Sequence, residues 1–232
     1  MSRCPSPTLE LSSLDSNAIL SFSEQPQYPR LSRDVLRELR DQLRTVCSCG
    51  AFCGVVIASN SRSFAVGAKL EEVRMLSGVA AFEFARLGQW VCQEIARASF
   101  PVVAAIRGFC LGGGLDLALA CHGRVAAYDS SFGSPGATIG LLTGWGGTGR
   151  LPRRVGRAAA LQMLITGERV PAVQALTIGL IDELAPSADL LAAASRLAKT
   201  LAQAGRGSAQ FLAQRERWNL ELTDWRSDRL TH

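Results

Sequence analysis

A chain of 232 residues with 47% hydrophobic and 19% charged side chains is long enough for one sizeable core and too apolar for a disordered chain. No apolar run approaches a membrane span, and the start, Met1-Ser-Arg-Cys-Pro-Ser-Pro7, lacks the apolar core of a secretory signal; the expectation is a cytoplasmic protein with no membrane partner. Arginines dominate the net charge of +5 and cluster at 150–157 and 215–229, without the interleaved aromatics of a nucleic-acid module, which favours anionic small ligands and excludes nucleic acid as the leading partner.

In chain order, an edge strand is expected near Leu9–Leu11 and a second strand over Ala18–Phe22. Ser32 is placed to cap a helix with Val35, Leu36, Leu39, Leu43 and Val46 on one face. Gly54–Ala58 reads as a buried strand, followed by a loop to Lys69 and helical sequence from Leu70. A helix over about 79–98 is predicted to turn Phe82, Leu87, Val91 and Ile95 inward. Two further strands are expected at 101–106 and 124–128, and helices at 157–166, 172–178, 187–204 and 208–220. Strands alternating with helices argue for parallel pairing through right-handed crossovers. The pattern divides into an α/β region, 1–155, and a mostly helical region, 156–232, of the same functional domain.

The chemistry concentrates in Arg107-Gly-Phe-Cys-Leu-Gly-Gly-Gly-Leu-Asp116. Gly112, Gly113 and Gly114 let the backbone turn sharply and approach a ligand with no Cβ in the way. The helix beyond them points its first N–H groups outward, where the macrodipole favours an oxyanion. Asp116 falls in that first turn and is the one charged residue between Arg107 and Arg124. The loop Ser63–Lys69 supplies other free amides, notably that of Ala68. Two N–H groups from separate loops suit an enolate or a tetrahedral oxyanion.

Other signals are weaker. Gly144-Trp-Gly-Gly-Thr-Gly149 has dinucleotide-fingerprint spacing, but no clean strand precedes it and Pro152 breaks the sequence just after it. Cys47, Cys49 and Cys53 lack a nearby histidine, so no metal site is expected; the seven cysteines read mainly as free thiols in apolar surroundings. His122 stands after Cys121 at a helix end, where a cation is favoured, and reads as a structural residue with no Ser/His/Asp arrangement around it.

These segments together resemble the crotonase, or enoyl-CoA hydratase/isomerase, superfamily over residues 55–186. The likeness runs through Ser63-Phe-Ala-Val-Gly-Ala-Lys-Leu70, Pro101–Asp116, Phe132-Gly-Ser-Pro135, Gly144-Trp-Gly-Gly-Thr148, Leu151-Pro-Arg-Arg-Val-Gly156 and Gly179-Leu-Ile181. The resemblance implies an α/β spiral of ββα units, acyl-CoA thioester substrates, and a homotrimer or dimer of trimers. Coenzyme A would enter as part of the substrate, with no separate cofactor. It assigns oxyanion-hole amides to Ala68 and Gly113 and the acid/base to Asp116. Gly112, Gly136, Thr143, Gly144 and Trp145 fall where substrate is bound, with Trp145 lining the acyl pocket.

The departures matter as much. The second glutamate of a hydratase would stand at Gly136, and Thr143 stands where proline is common. Lys69 and His122 replace familiar aspartates. With one carboxylate, isomerisation, decarboxylation or carbon–carbon chemistry competes with hydration. An acyl-CoA-binding homologue with little catalysis is the alternative, and an NAD(P)-binding oxidoreductase a minor one.

Overall fold

The structure, a computed structural model, describes residues 9–23 and 27–204. The helix expected at 208–220, the arginine group at 215–229 and Cys4 lie outside the described residues. The N-terminal half contains strands β1 (Leu9–Leu14), β2 (Asn17–Phe22), β3 (Gly54–Ser59), β4 (Val102–Ile106) and β5 (Phe109–Leu111), with helices α1 (Arg33–Cys49), α2 (Leu70–Arg74) and α3 (Gly78–Ala96). Helix α4 (Gly113–Ala120) leads to β6 (Gly123–Ala127), β7 (Ser131–Gly133), a 3-10 turn (Pro135–Ile139), α5 (Gly147–Val155) and α6 (Arg157–Thr166). The described chain closes with β8 (Val170–Pro171), α7 (Ala172–Thr177), β9 (Glu183–Ala185) and α8 (Leu190–Gln203).

A six-stranded sheet runs β1-β2-β3-β4-β6-β9, and a smaller one runs β5-β7-β8. Only β1 pairs antiparallel in the large sheet, as a hairpin on β2; the remaining pairs are parallel. Period-two alternation sends Leu20, Ile57, Ala104 and Ala126 to one core cluster and Ile19, Val56, Val103 and Val125 to another. Burial on both faces explains the near-continuous apolar runs of these strands. The second cluster is closed by α8, whose Ala193, Ala194 and Ala198 let the helix lie close to the sheet. Asn17, fully buried at the start of β2, donates from Nδ2 to the Ser195 carbonyl at 3.0 Å and so ties the two. With β9 on β6 and α8 across β3, β4 and β6, the C-terminal helical region shares its core with the N-terminal one.

Helix α1 forms as its sequence dictates. The Ser32 hydroxyl accepts from Val35 N–H at 3.2 Å, and Gly50 ends the helix at φ 63°. Its five predicted core residues are all buried, each contributing roughly 1.5–3 kcal/mol by leaving water. Helix α3 differs from expectation: Phe82 is exposed, and Phe84, Gly88, Val91, Cys92 and Ile95 face the core. Phe82 lies two positions, about 200°, from Phe84 on a 3.6-residue period. The inward position at Gly88 is blank to a hydrophobicity pattern because the Trp145 indole fills it. The strand predicted to reach Tyr128 ends at Ala127, leaving that ring exposed. Pro152 does not break the chain but lies inside α5.

The cysteine expectation holds for Cys92, Cys110 and Cys121, which are buried, and fails for Cys47, Cys49 and Cys53, which are exposed. The latter surround the C-terminal end of α1, beyond its last buried residue Val46.

Arg124 is an ionisable group buried in the core, 2% exposed. Its guanidinium donates to the carbonyls of Leu180 at 2.9 Å and Cys121 at 2.7 Å, and pairs with Asp182 at 3.1 Å. Asp182 also pairs with Arg154 and accepts from Arg124 N–H, so one carboxylate joins β6 to the start of β9. Removing it leaves a buried cation unpaired. Asp182→Ala should therefore lower the urea unfolding free energy by about 3 kcal/mol, whereas Glu71→Gln, which breaks an exposed pair with Arg30, should leave the midpoint unmoved.

Candidate functional site

Strand β4 turns at Gly108, φ 53°, into β5, and Gly112 at φ 51° delivers the chain into α4. Both glycines are in the left-handed half of backbone space, which side-chain-bearing residues avoid. Gly114 serves a different need: a Cβ there would lie 2.3 Å from the Ala65 carbonyl oxygen, so the helix start can approach the 64–68 loop only without one. Ala65 N–H donates to Phe109 O at 3.2 Å and Leu111 N–H to Ala65 O at 2.9 Å, which joins that loop to β5.

Ala68 pairs in parallel with Leu31 through its neighbours' groups: Leu31 N–H donates to Gly67 O, and Lys69 N–H to Leu31 O. In such a bridge the central residue's own N–H and C=O face the other way. A Cβ on Gly67 would stand 3.6 Å from Gly113 N and 3.4 Å from Leu111 O, so the 67–68 segment lies against the start of α4. Among the described residues, neither Ala68 N–H nor Gly113 N–H donates to a protein acceptor.

Asp116 is 1% exposed, in the second position after those glycines. Its Oδ2 accepts from the Thr143 hydroxyl and, at 3.0 Å, from Trp145 N–H. Gly147 presses on Oδ1, where a Cβ would come within 2.0 Å. The Gly147 backbone amide lies near enough to favour the charged carboxylate, while Oδ1 is buried with no hydrogen-bond partner. Burial pushes the Asp116 carboxyl above the usual carboxylate range. The Thr143 and Trp145 hydrogen bonds, the Arg150 charge and the nearby Gly147 amide pull in the other direction without cancelling it.

The loop over Asp116 is itself held. Gln89 of α3 donates to Gly144 O at 2.8 Å, and Arg150 of α5 donates to Trp145 O at 2.8 Å. The Trp145 indole is buried against Gly88 and Gly113 and meets Phe84 edge-on at 5.5 Å between centroids. It therefore touches the first residue of α4. Gln89 and Arg150 were not visible as site residues in the sequence: a polar residue on a helix and one arginine within a basic group carry no spacing signal.

The structure brings Gly112, Gly113, Asp116, Thr143, Gly144 and Trp145 together. Gly136 lies in the 3-10 turn, where a Cβ would meet the Leu141 carbonyl oxygen at 2.7 Å; Leu141 N–H donates to Gly136 O at 2.8 Å. A glutamate there would have to displace backbone. The Gly144–Gly149 stretch comes after the 3-10 turn rather than a strand, and its Gly146 and Gly147 serve a φ of 104° and the close approach to Asp116. That accounts for its glycines without a nucleotide. His122 has the structural role expected of it: its Nδ1 accepts from Val102 N–H at 2.9 Å. Among the described residues, no group of His, Cys, Asp and Glu stands together to hold a metal, and no helix is long and apolar enough to cross a membrane. Two clefts of about 310 and 380 Å³ lie elsewhere, around Cys47, Ser99 and Phe100, and contain none of these site residues.

A buried carboxylate beside a glycine-opened helix start, on a spiral of strand–strand–helix units, defines a class. The family model described as enoyl-CoA hydratase/isomerase matches residues 21–227. The chain belongs to that family. Solved structures agree. An enoyl-CoA hydratase from Bacillus anthracis is 28% identical, with a TM-score of 0.82 over 90% of this chain and 81% of that one. Pseudomonas aeruginosa DspI is 29% identical, with a TM-score of 0.85 over 95% and 87%. A putative enoyl-CoA hydratase from Streptomyces coelicolor A3(2) is 29% identical, with a TM-score of 0.80 over 92% and 80%.

The raised Asp116 carboxyl fixes a sign. Its folded-state value lies above its unfolded one, so its contribution to stability is present at low pH and is lost as pH rises through the folded value. The unfolding free energy of the wild type minus that of Asp116→Asn should therefore grow as pH falls through that range. Urea titrations of both proteins across pH check this.

Proposed function

We propose that the protein is an acyl-CoA thioester enzyme that stabilises an enolate at the start of α4 and moves a proton with Asp116. The observation that carries this reading is the buried carboxylate with one unpartnered oxygen, set one helical turn from the undonated Gly113 N–H. In this reading the thioester oxygen accepts from Gly113 N–H and Ala68 N–H. Asp116 takes a proton from the carbon beside the carbonyl, the C–H electron pair moves into the enolate, and the oxygen carries the charge between the two amides. Returning the proton to a different carbon completes a double-bond isomerisation. In this reading Gly112, Gly136, Thr143, Gly144 and Trp145 bind the substrate, with Trp145 lining the acyl pocket. Coenzyme A arrives as part of the substrate, and no separate cofactor takes part. The reading extends to a cytoplasmic homotrimer or dimer of trimers.

Hydration requires a second group to hold and activate water. Gly136, packed on the Leu141 carbonyl, supplies none, which favours isomerisation or decarboxylation over hydration. The same observation favours, as a second reading, a homologue that binds acyl-CoA with little turnover.

A panel of enoyl-, malonyl- and hydroxyacyl-CoA thioesters monitored by mass spectrometry separates these readings. The wild type should convert an enoyl or malonyl thioester, and Asp116→Asn should lower kcat by about 10²–10⁴-fold with thioester affinity nearly unchanged. Full activity in Asp116→Asn would remove the acid/base role, and affinity without turnover across the panel would leave the binding reading.

A further inference from the structure

The two oxygens of Asp116 are in different situations. Oδ2 is saturated from the loop that closes over it, by the Thr143 hydroxyl and the Trp145 N–H. Oδ1 is buried and without a hydrogen-bond partner, and it borders the space that Gly147 leaves open by having no Cβ. Trp145 N–H is a backbone donor that any residue at that position except proline would supply. Thr143 is the side chain whose identity decides how Oδ2 is held.

From this asymmetry we propose that Thr143 is a positioning residue for Asp116: its hydroxyl pins Oδ2 as an acceptor, so that Oδ1 alone exchanges a proton with the bound acyl group. The inference rests on the acyl-CoA reading above and adds a role for a side chain that does not itself receive the proton. Its consequence is a fixed carboxylate plane. A carboxyl free to rotate would present either oxygen and would also carry its proton on Oδ2, turned away from substrate. With two donors already on Oδ2, a proton bound there would meet both of them, so protonation is directed to Oδ1. The hydroxyl also stabilises the ionised form, since a hydrogen bond to a charged acceptor favours that charge.

The groups that face Asp116 from the elements packed on it are Arg150 of α5, Cys92 of α3 and Cys110 of β5. Burial pushes the Cys92 thiol up to about 12 and Cys110 well above its ordinary value, and a guanidinium does not titrate in this range. An acid-range titration at this site therefore belongs to Asp116.

The test compares wild type, Thr143→Val, Thr143→Ser and Asp116→Asn. Thr143→Val keeps the shape and removes the hydroxyl; Thr143→Ser restores it. First, the side-chain carboxyl of Asp116 is titrated by carbon NMR of aspartate-labelled protein, its signal assigned by its loss in Asp116→Asn. The titration should move to higher pH in Thr143→Val and return towards wild type in Thr143→Ser. Second, kcat and KM are measured across pH with but-3-enoyl-CoA, whose CH2 beside the carbonyl carries the proton to be removed, or whichever panel thioester the wild type converts. Thr143→Val should lower kcat by about 10-fold with KM little changed, and the acid limb of kcat should shift to higher pH with the NMR titration. An Asp116 signal that titrates identically in folded Thr143→Val overturns the inference, as does a kcat loss in Thr143→Val whose acid limb stays in place. Full activity in Asp116→Asn overturns the acid/base role given to Asp116 in the reading above instead, and the NMR arm still decides whether Thr143 holds the carboxylate.

Discussion

The structure of the site depends on keeping a carboxylate out of water. Asp116 is an ionisable group inside an apolar helix, and taking it from solvent costs several kcal/mol unless its surroundings compensate. The compensation comes from the loop of Thr143 to Gly147, which gives a hydroxyl and a backbone N–H to one oxygen and leaves the other unpaired. The surroundings thus solve half of the problem. The unsolved half is a carboxyl that holds its proton more firmly than an exposed one, which is the property a group that both takes and returns a proton requires.

Much of the surrounding fold is set by that arrangement. The helix start must come within contact of Ala65, so Gly114 has no Cβ. The loop must descend onto the carboxylate, so Gly147 has none either, and Gly146 adopts a backbone angle that other residues avoid. Trp145 then fills the space left over Gly88 and Gly113, which makes a large aromatic ring part of the wall beside α4. Gln89 and Arg150 anchor the loop from two helices. Further off, Arg124 and Asp182 fix β6 to β9, and β6 comes directly after α4, so the helix bearing Asp116 is held at both ends.

Legibility in the sequence depended on the physics of each signal. The sheet could be read because strands buried on both faces leave unbroken apolar runs, as Val102–Ile106 does. Helix α1 could be read because its cap, its five-residue face and its terminal glycine agree. Gly112–Gly114 and Asp116 stood out because glycines and a lone charge are rare in apolar sequence. The positions that could not be read were those defined only by a partner far along the chain. Phe84 rather than Phe82 turns inward because Trp145, some sixty positions later, meets it and Gly88. The Thr143 and Arg150 roles depend on a loop folding back onto α4, and the exposed cysteines on where α1 happens to leave the core. The enzyme family was legible through the order of many short segments, no single one of which would have sufficed.

The central claim is that a thioester oxygen rests between the Gly113 and Ala68 amides with its reacting carbons turned to Asp116. A crystal structure of the protein with an acyl-CoA thioester, trapped by Asp116→Asn, tests it most directly. The account predicts the thioester oxygen at about 2.7–3.1 Å from both amide nitrogens, with the adjacent carbon facing the side chain at position 116. A thioester oxygen bonded elsewhere, with either amide turned away from the ligand, would contradict it.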